Sequence, residues 1–241
     1  GDGRGEPDFL LVGDVLSGLR SVGGVAPSRG GAPLGARRAA GLKAVPVGTL
    51  SASAWDMRRK VRSHLLRTEV SEHSYKVWES SMEDVDEGSA LGPFWSEDEV
   101  QKQLEQFGPA EDWVITQRFE VVQRNKVCGC DSATANMVND TAVITEQLLL
   151  PSTDVNVAAL RCLRSLAKED LLGWVLDERK AYRQLPVRPE QRKWSVVALR
   201  HPLSGRLAFF IMVGHSFGLV ASVYNYNRRS AALDNILRTI F

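Results

Sequence analysis

The chain has 241 residues, 44% of them hydrophobic, enough to bury a core in one large domain or two small ones. Thirty basic against 29 acidic side chains leave a net charge of +1, so the bulk composition excludes a polycation or a polyanion and the distribution of charge carries the information. No run approaches the roughly 18 apolar residues of a membrane span, and Cys128, Cys130 and Cys162 support neither a disulfide framework nor a zinc knuckle, so an intracellular protein, cytoplasmic or nuclear, with reduced thiols is expected.

Residues 1–47 are rich in Gly, Arg, Ala, Pro and Ser, with an apolar period only around Phe9 to Leu19; most of this stretch is expected to be a disordered tail. A helical lead-in over 48–110 follows. Trp55, Val61, Leu65, Leu66, Val70 and Val77 recur at helical spacing, and Ser96 with Glu99 forms a capping box for a short helix that stops at Gly108-Pro109. From 111 onwards, Trp113 to Val122 and Lys126 to Cys130 read as a hairpin turning at Arg124-Asn125. Asp154 is placed to cap a helix carrying Val155, Ala159, Leu163 and Leu166. Leu171 to Leu176 reads as a buried strand, Trp194 to Leu199 and Leu207 to Val213 as a second hairpin, and Gly218 opens a long helix. The order is that of an α+β protein.

Asp177 ends the Leu171 to Leu176 strand, and Tyr182 follows closely, which sets a hard oxygen ligand beside an aromatic wall. Magnesium is held by carboxylates together with substrate phosphates, so this pairing suits a magnesium-bound nucleotide. The same aspartate serves equally as a helix cap or a solvated turn. Trp194 and the Phe209-Phe210 pair suit base stacking or core packing, and Arg188, Arg192, Lys193, Arg200 and Arg206 suit a phosphate backbone or a solvated hairpin.

Asp177, Arg179, Ala181, Tyr182 and Gln184 resemble the first palm motif of retroelement reverse transcriptases of the kind found in protist genomes. Phe217-Gly218-Leu219, continuing to Tyr226-Asn227-Arg228, is similar to that family's Pro-Phe-Gly-Leu motif, with Ser216 in place of the proline. Arg118 to Gln123, then Lys126, Asp131 and Asn139, resembles the fingers hairpin, with Cys128 where the family usually has an arginine and Ser132 where a second acid is common. The resemblance implies a partial right-hand polymerase, with the fingers and first half of the palm in 111–241, ending before the third palm motif. It implies Asp177 as a catalytic ligand to Mg2+, and Lys126, Tyr182, Phe217 and Gly218 at the incoming deoxynucleotide. The implied partners are an RNA template and a DNA primer, met by Arg188, Arg192, Lys193 and Arg228. With one of the three metal-binding carboxylates of a two-metal site, the chain by itself is expected to be inactive. A nucleic-acid-binding remnant without chemistry and an α+β interaction domain with a chance likeness are the alternatives.

Overall fold

A computed structural model describes residues 8, 10–27, 32–33, 44–124, 126–148, 152–167, 170–171 and 177–240. In chain order the elements are α1 (Leu10–Ser17), the two-residue strands β1 (Gly23–Gly24) and β2 (Ala32–Pro33), α2 (Val47–Arg67), α3 (Ser74–Asp86), β3 (Ala90–Phe94) and α4 (Glu97–Leu104). The hairpin β4 (Ile115–Gln123) and β5 (Lys126–Ser132) follows, then the short β6 (Ala142–Val143) and β7 (Glu146–Gln147), and α5 (Thr153–Leu166). Two 3₁₀ segments, Ala181–Gln184 and Pro189–Trp194, lead into β8 (Val196–Arg200), β9 (Leu207–Met212) and the long α6 (Val220–Ile240). The α+β class expected from the sequence is what is observed. No helix among the described residues is long and apolar enough to cross a membrane.

Five strands form one mixed sheet in the order β3-β9-β8-β4-β5. All its pairings are antiparallel except β4 with β8, where Ile115 to Gln117 run parallel to Val196 to Ala198. Both faces of the central strands are covered, which explains why β8 and β9 read as nearly unbroken apolar runs rather than alternating ones. Val196, Ala198, Phe209 and Ile211 pack with Val61 and Leu65 of α2 and Val100 and Leu104 of α4. Val197, Leu199, Ala208, Phe210 and Met212 point the other way, towards Val77 of α3. A third cluster joins Val22, Leu50, Ala54, Val114, Val138, Trp194 and Leu219, so chain entry, hairpin end and α6 share one core.

Several sequence expectations are corrected. Residues 10–27 belong to the fold rather than to a disordered tail. Leu19, Val22 and Val25 are buried, Leu19 bridges Val187, β1 pairs with β6, and Val22 falls in the third core. The lead-in over 48–110 is not helical throughout, since it contains β3, the edge strand beside β9. The helix near Asp154 is present, but Ser152 is its N-cap, without a side-chain cap bond, and none of its residues is buried. The Ser96 cap forms: its hydroxyl accepts from Glu99 N at 3.2 Å, and the Glu99 carboxylate reaches back one residue further than expected, to Trp95 N at 2.8 Å. Trp194, Phe209 and Phe210 are core residues. The strand expected over Leu171 to Leu176 falls on residues 172–176, outside the described residues apart from Leu171.

Candidate functional site

The hairpin register sets Arg118 directly opposite Asp131, with both side chains buried. Arg118 grips Asp131 with two parallel bonds, Nε to Oδ1 at 2.8 Å and Nη2 to Oδ2 at 3.1 Å, and turns Nη1 to Ser81 Oγ at 3.0 Å and Asp84 Oδ2 at 3.3 Å. Arg183, from the segment that follows Asp177, closes the ring. Its Nε meets Asp84 Oδ2 at 3.1 Å, its Nη2 lies 3.5 Å from Asp131 Oδ2, and its Nη1 donates to His215 O at 2.9 Å. Two guanidiniums and two carboxylates alternate, so the buried charges cancel. Burial by itself would raise the Asp131 carboxyl, but the charge and hydrogen bonds of Arg118, with help from Arg183, hold it below the usual carboxylate range. Burial pulls Arg118 down, and Asp131 and Asp84 more than offset it; Arg183, buried and facing the like charge of Arg118, stays below its ordinary value. At the outer edge Lys180 sits 2.9 Å from Glu87 and 3.2 Å from Asp84, ionic contacts without a well-directed hydrogen bond.

On this ring rests an aromatic cluster. The Tyr182 ring lies 5.0 Å from that of Phe217 and 5.5 Å edge-on from that of Tyr226, and the Arg183 guanidinium sits 5.4 Å over Phe217. Gly218, at φ +95°, passes so close to the hairpin that a Cβ there would stand 2.0 Å from the Asp131 carbonyl oxygen. Only glycine meets both demands. Asp131 N in turn donates to Phe217 O at 3.2 Å. Below the cluster His215 is fully buried. Its Nδ1 faces the Leu185 carbonyl at 3.0 Å and so carries the proton, leaving Nε2 to accept from Asn225 Nδ2 at 2.8 Å. Burial lowers its pKa to about 4, so it stays neutral.

The structure therefore brings together Tyr182, Phe217 and Gly218, three of the residues assigned to nucleotide binding. Lys126 stands apart from them in the chain turn of the hairpin, exposed at the start of β5. Asp177 is exposed and makes no hydrogen bond or ion pair with the described residues, as a carboxylate without partners requires, while neighbouring Glu178 is engaged by Arg229. No group of three or more metal-ligating side chains is assembled among the described residues.

The basic residues assigned to nucleic acid are mostly spent inside the molecule. Arg228 is buried and held by Asp8 and Asp14, whose charge and hydrogen bonds outweigh burial and raise its pKa. Arg188 reaches Asp14 at 3.4 Å, and Lys193 bonds Asp112 at 2.6 Å and lies over the Trp194 ring. Arg192 lies 4.6 Å over Phe107 and is lowered by burial. Only displacement of these partners would present Arg188, Lys193 and Arg228 to a phosphate. Comparison with protein-family models, with curated proteins and with solved structures gives no match.

Sequence reasoning missed the ion-pair ring and the carboxylates of the chain entry. The first had a readable signal: a hairpin that pairs Gln123 with Lys126 has a register in which residues 118 and 131 face each other. The second had none, because Asp8 and Asp14 reach Arg228 across nearly the whole length of the chain.

Proposed function

We propose that this chain is the fingers and the first half of the palm of an RNA-directed DNA polymerase, the surface on which template, primer and incoming deoxynucleotide meet. One observation carries the reading. The three segments singled out by resemblance are far apart in the chain, yet they interlock: Arg183 beside Asp131, Phe217 O accepting from Asp131 N, Gly218 against the Asp131 carbonyl, and Tyr182 on Phe217. Chance likenesses in three unrelated segments have no reason to converge on one hairpin residue. In this reading Tyr182 and Phe217 give the nucleotide a face to pack on, and Gly218 lets the backbone approach the templating pair.

Magnesium belongs to this chemistry, and Asp177 is the carboxylate that would hold it. Asp177 alone does not make a magnesium site, since the described residues add only Glu178 beside it and that side chain is paired with Arg229. The reading therefore rests on binding. A fluorescent deoxynucleoside triphosphate presented with a primed RNA template should bind the wild-type chain and lose affinity about tenfold in Tyr182→Ala and in Phe217→Ala, the worth of one stacked aromatic contact. Absence of binding by the wild-type chain at low salt, or wild-type affinity in both variants, would sink it.

A further inference from the structure

Two of the three arginines that the polymerase reading assigns to nucleic acid, Arg188 and Arg228, are already engaged by carboxylates from the chain entry. Arg228 Nε and Nη2 take Asp8 at 2.5 and 3.0 Å, its Nη1 takes Asp14 at 2.6 Å, and the other Asp14 oxygen faces Arg188 Nη2 at 3.4 Å. This is the forked, charge-assisted geometry in which guanidinium also receives phosphate. Beside the pairs lies a cavity of about 320 Å³ lined by Arg20, Arg188, Arg228, Asn225 and Asp14. Three arginines line it, and Arg20 is exposed, so the two acids of the entry segment offset only part of the charge.

Beyond its acidic side chains, the segment that delivers them buries little apolar surface. Within α1 only Leu11 is buried, while Leu10 and Leu16 are 69% and 84% exposed. Firm attachment begins one residue after Gly18, where Leu19 N donates to Pro186 O at 2.7 Å and Arg188 N to Leu19 O at 3.1 Å. Gly18 itself, at φ +90° with the Arg188 backbone 2.6 Å from where a Cβ would stand, is the joint between the loose helix and the anchored strand.

We propose that α1 with Asp8 and Asp14 is a displaceable acidic strap that occupies a phosphate site built by Arg20, Arg188 and Arg228, and that the phosphodiester backbone of a nucleic acid competes with it for that site. The inference rests on the polymerase reading for the identity of the ligand, but not for the anion site itself. With the strap in place two carboxylates offset the charge of two arginines; with it lifted, the cavity presents its full charge.

The test uses the full chain with Asp8→Asn and Asp14→Asn together, which removes the competing charges and keeps the helix. Binding of a labelled single-stranded oligonucleotide and of inorganic tripolyphosphate is measured from 50 to 200 mM salt. The double variant should bind the oligonucleotide about tenfold more tightly at low salt. Its slope of log K against log salt should steepen by about 1.5, two further phosphates at about 0.7 to 0.9 each, and Arg188→Gln in the same background should reverse most of the gain. Because the variant charges could loosen the fold, the wild-type chain is also followed by amide hydrogen exchange, which should accelerate across residues 10–17 and not across β8 when ligand saturates it. Equal oligonucleotide affinity and slope in wild type and double variant overturn the strap and leave the polymerase reading standing. Tripolyphosphate bound by the double variant, with no oligonucleotide bound by either protein, supports the strap and counts against the polymerase reading. Failure of the double variant to bind either ligand, or unchanged exchange in α1 of a liganded wild type, overturns the strap.

Discussion

Asp131→Asn removes one charge from the buried ring and leaves its volume nearly intact. In the wild type two guanidiniums face two carboxylates; in the variant Arg118 and Arg183 share Asp84 alone, with Lys180 3.2 Å from the same aspartate. The new amide also points a donor at a guanidinium, where Asp131 had accepted at 2.8 and 3.1 Å. Breaking a buried pair on one side costs about 3 to 5 kcal/mol, because the remaining charge keeps its desolvation penalty and loses its partner. Against a total stability of roughly 5 to 15 kcal/mol this is a large fraction, and for a chain of this size it lowers Tm by about 6 to 20 °C. Urea denaturation followed by far-UV circular dichroism reads it as a drop in midpoint at constant slope. Asp56→Asn is the control, since Asp56 and Arg59 are both 66% exposed and such pairs contribute about 0 to 1 kcal/mol. A loss below about 1 kcal/mol for Asp131→Asn would refute the view that the ring locks the hairpin to the segment carrying Tyr182.

The buried neutral His215, with its pKa lowered to about 4, binds a proton less readily folded than unfolded. Stability is therefore full above about pH 6.5 and falls by about 3 kcal/mol as pH drops through 4; urea midpoints between pH 7 and 4.5 should slope downward in the wild type and flatten in His215→Gln. The depressed Asp131 carboxyl adds its own loss as pH falls from the ordinary carboxylate range, where the unfolded chain takes up the proton, down through its lower folded value. Gly218→Ala meets both a positive φ and the Asp131 carbonyl, so a loss above about 2 kcal/mol is expected; a melt within 2 °C of wild type would contradict the close approach. Leu104→Ala in the core should cost about 2 to 5 kcal/mol, whereas Leu163→Ala on α5, where no residue is buried, should stay within about 0.5 kcal/mol. Equal losses in these two variants would mean that α5 is packed against something.

The parts of the fold legible in the sequence are those with a local period or a punctuating residue. Helical spacing from Trp55 to Val77 marked α2 and α3, the Ser96 cap marked α4, the turn after Gln123 marked β4 and β5, and Gly218 marked the start of α6. What stayed hidden depends on distant pairing. Nothing in Ile115 to Gln117 announces a parallel partner at Val196, and the two-residue strands carry no period at all. The composition of the entry segment pointed to disorder because glycine and alanine outnumber the three apolar residues that anchor it. At the site, Tyr182 and Phe217, which the resemblance singles out in separate segments, lie against one another, with Gly218 next to Phe217. The resemblance also assigned Arg228 and Lys193 to solvent and phosphate, because a run of like charge does not reveal which carboxylates fold back onto it.

The strand order β3-β9-β8-β4-β5 also has a meaning in time. As the chain leaves the ribosome, β4 and β5 can pair at once, but β3 emerges long before β9, its neighbour in the sheet among the described residues. Until Leu207 to Met212 are synthesised, the faces of α2, α3 and α4 that close on β8 and β9 have nothing to cover them, so Val61, Val77 and Val100 wait in solvent. Non-local sheets of this kind form slowly and expose apolar surface while they wait. The interval between the synthesis of α4 and that of β9 is thus the one in which these apolar faces are most open to aggregation.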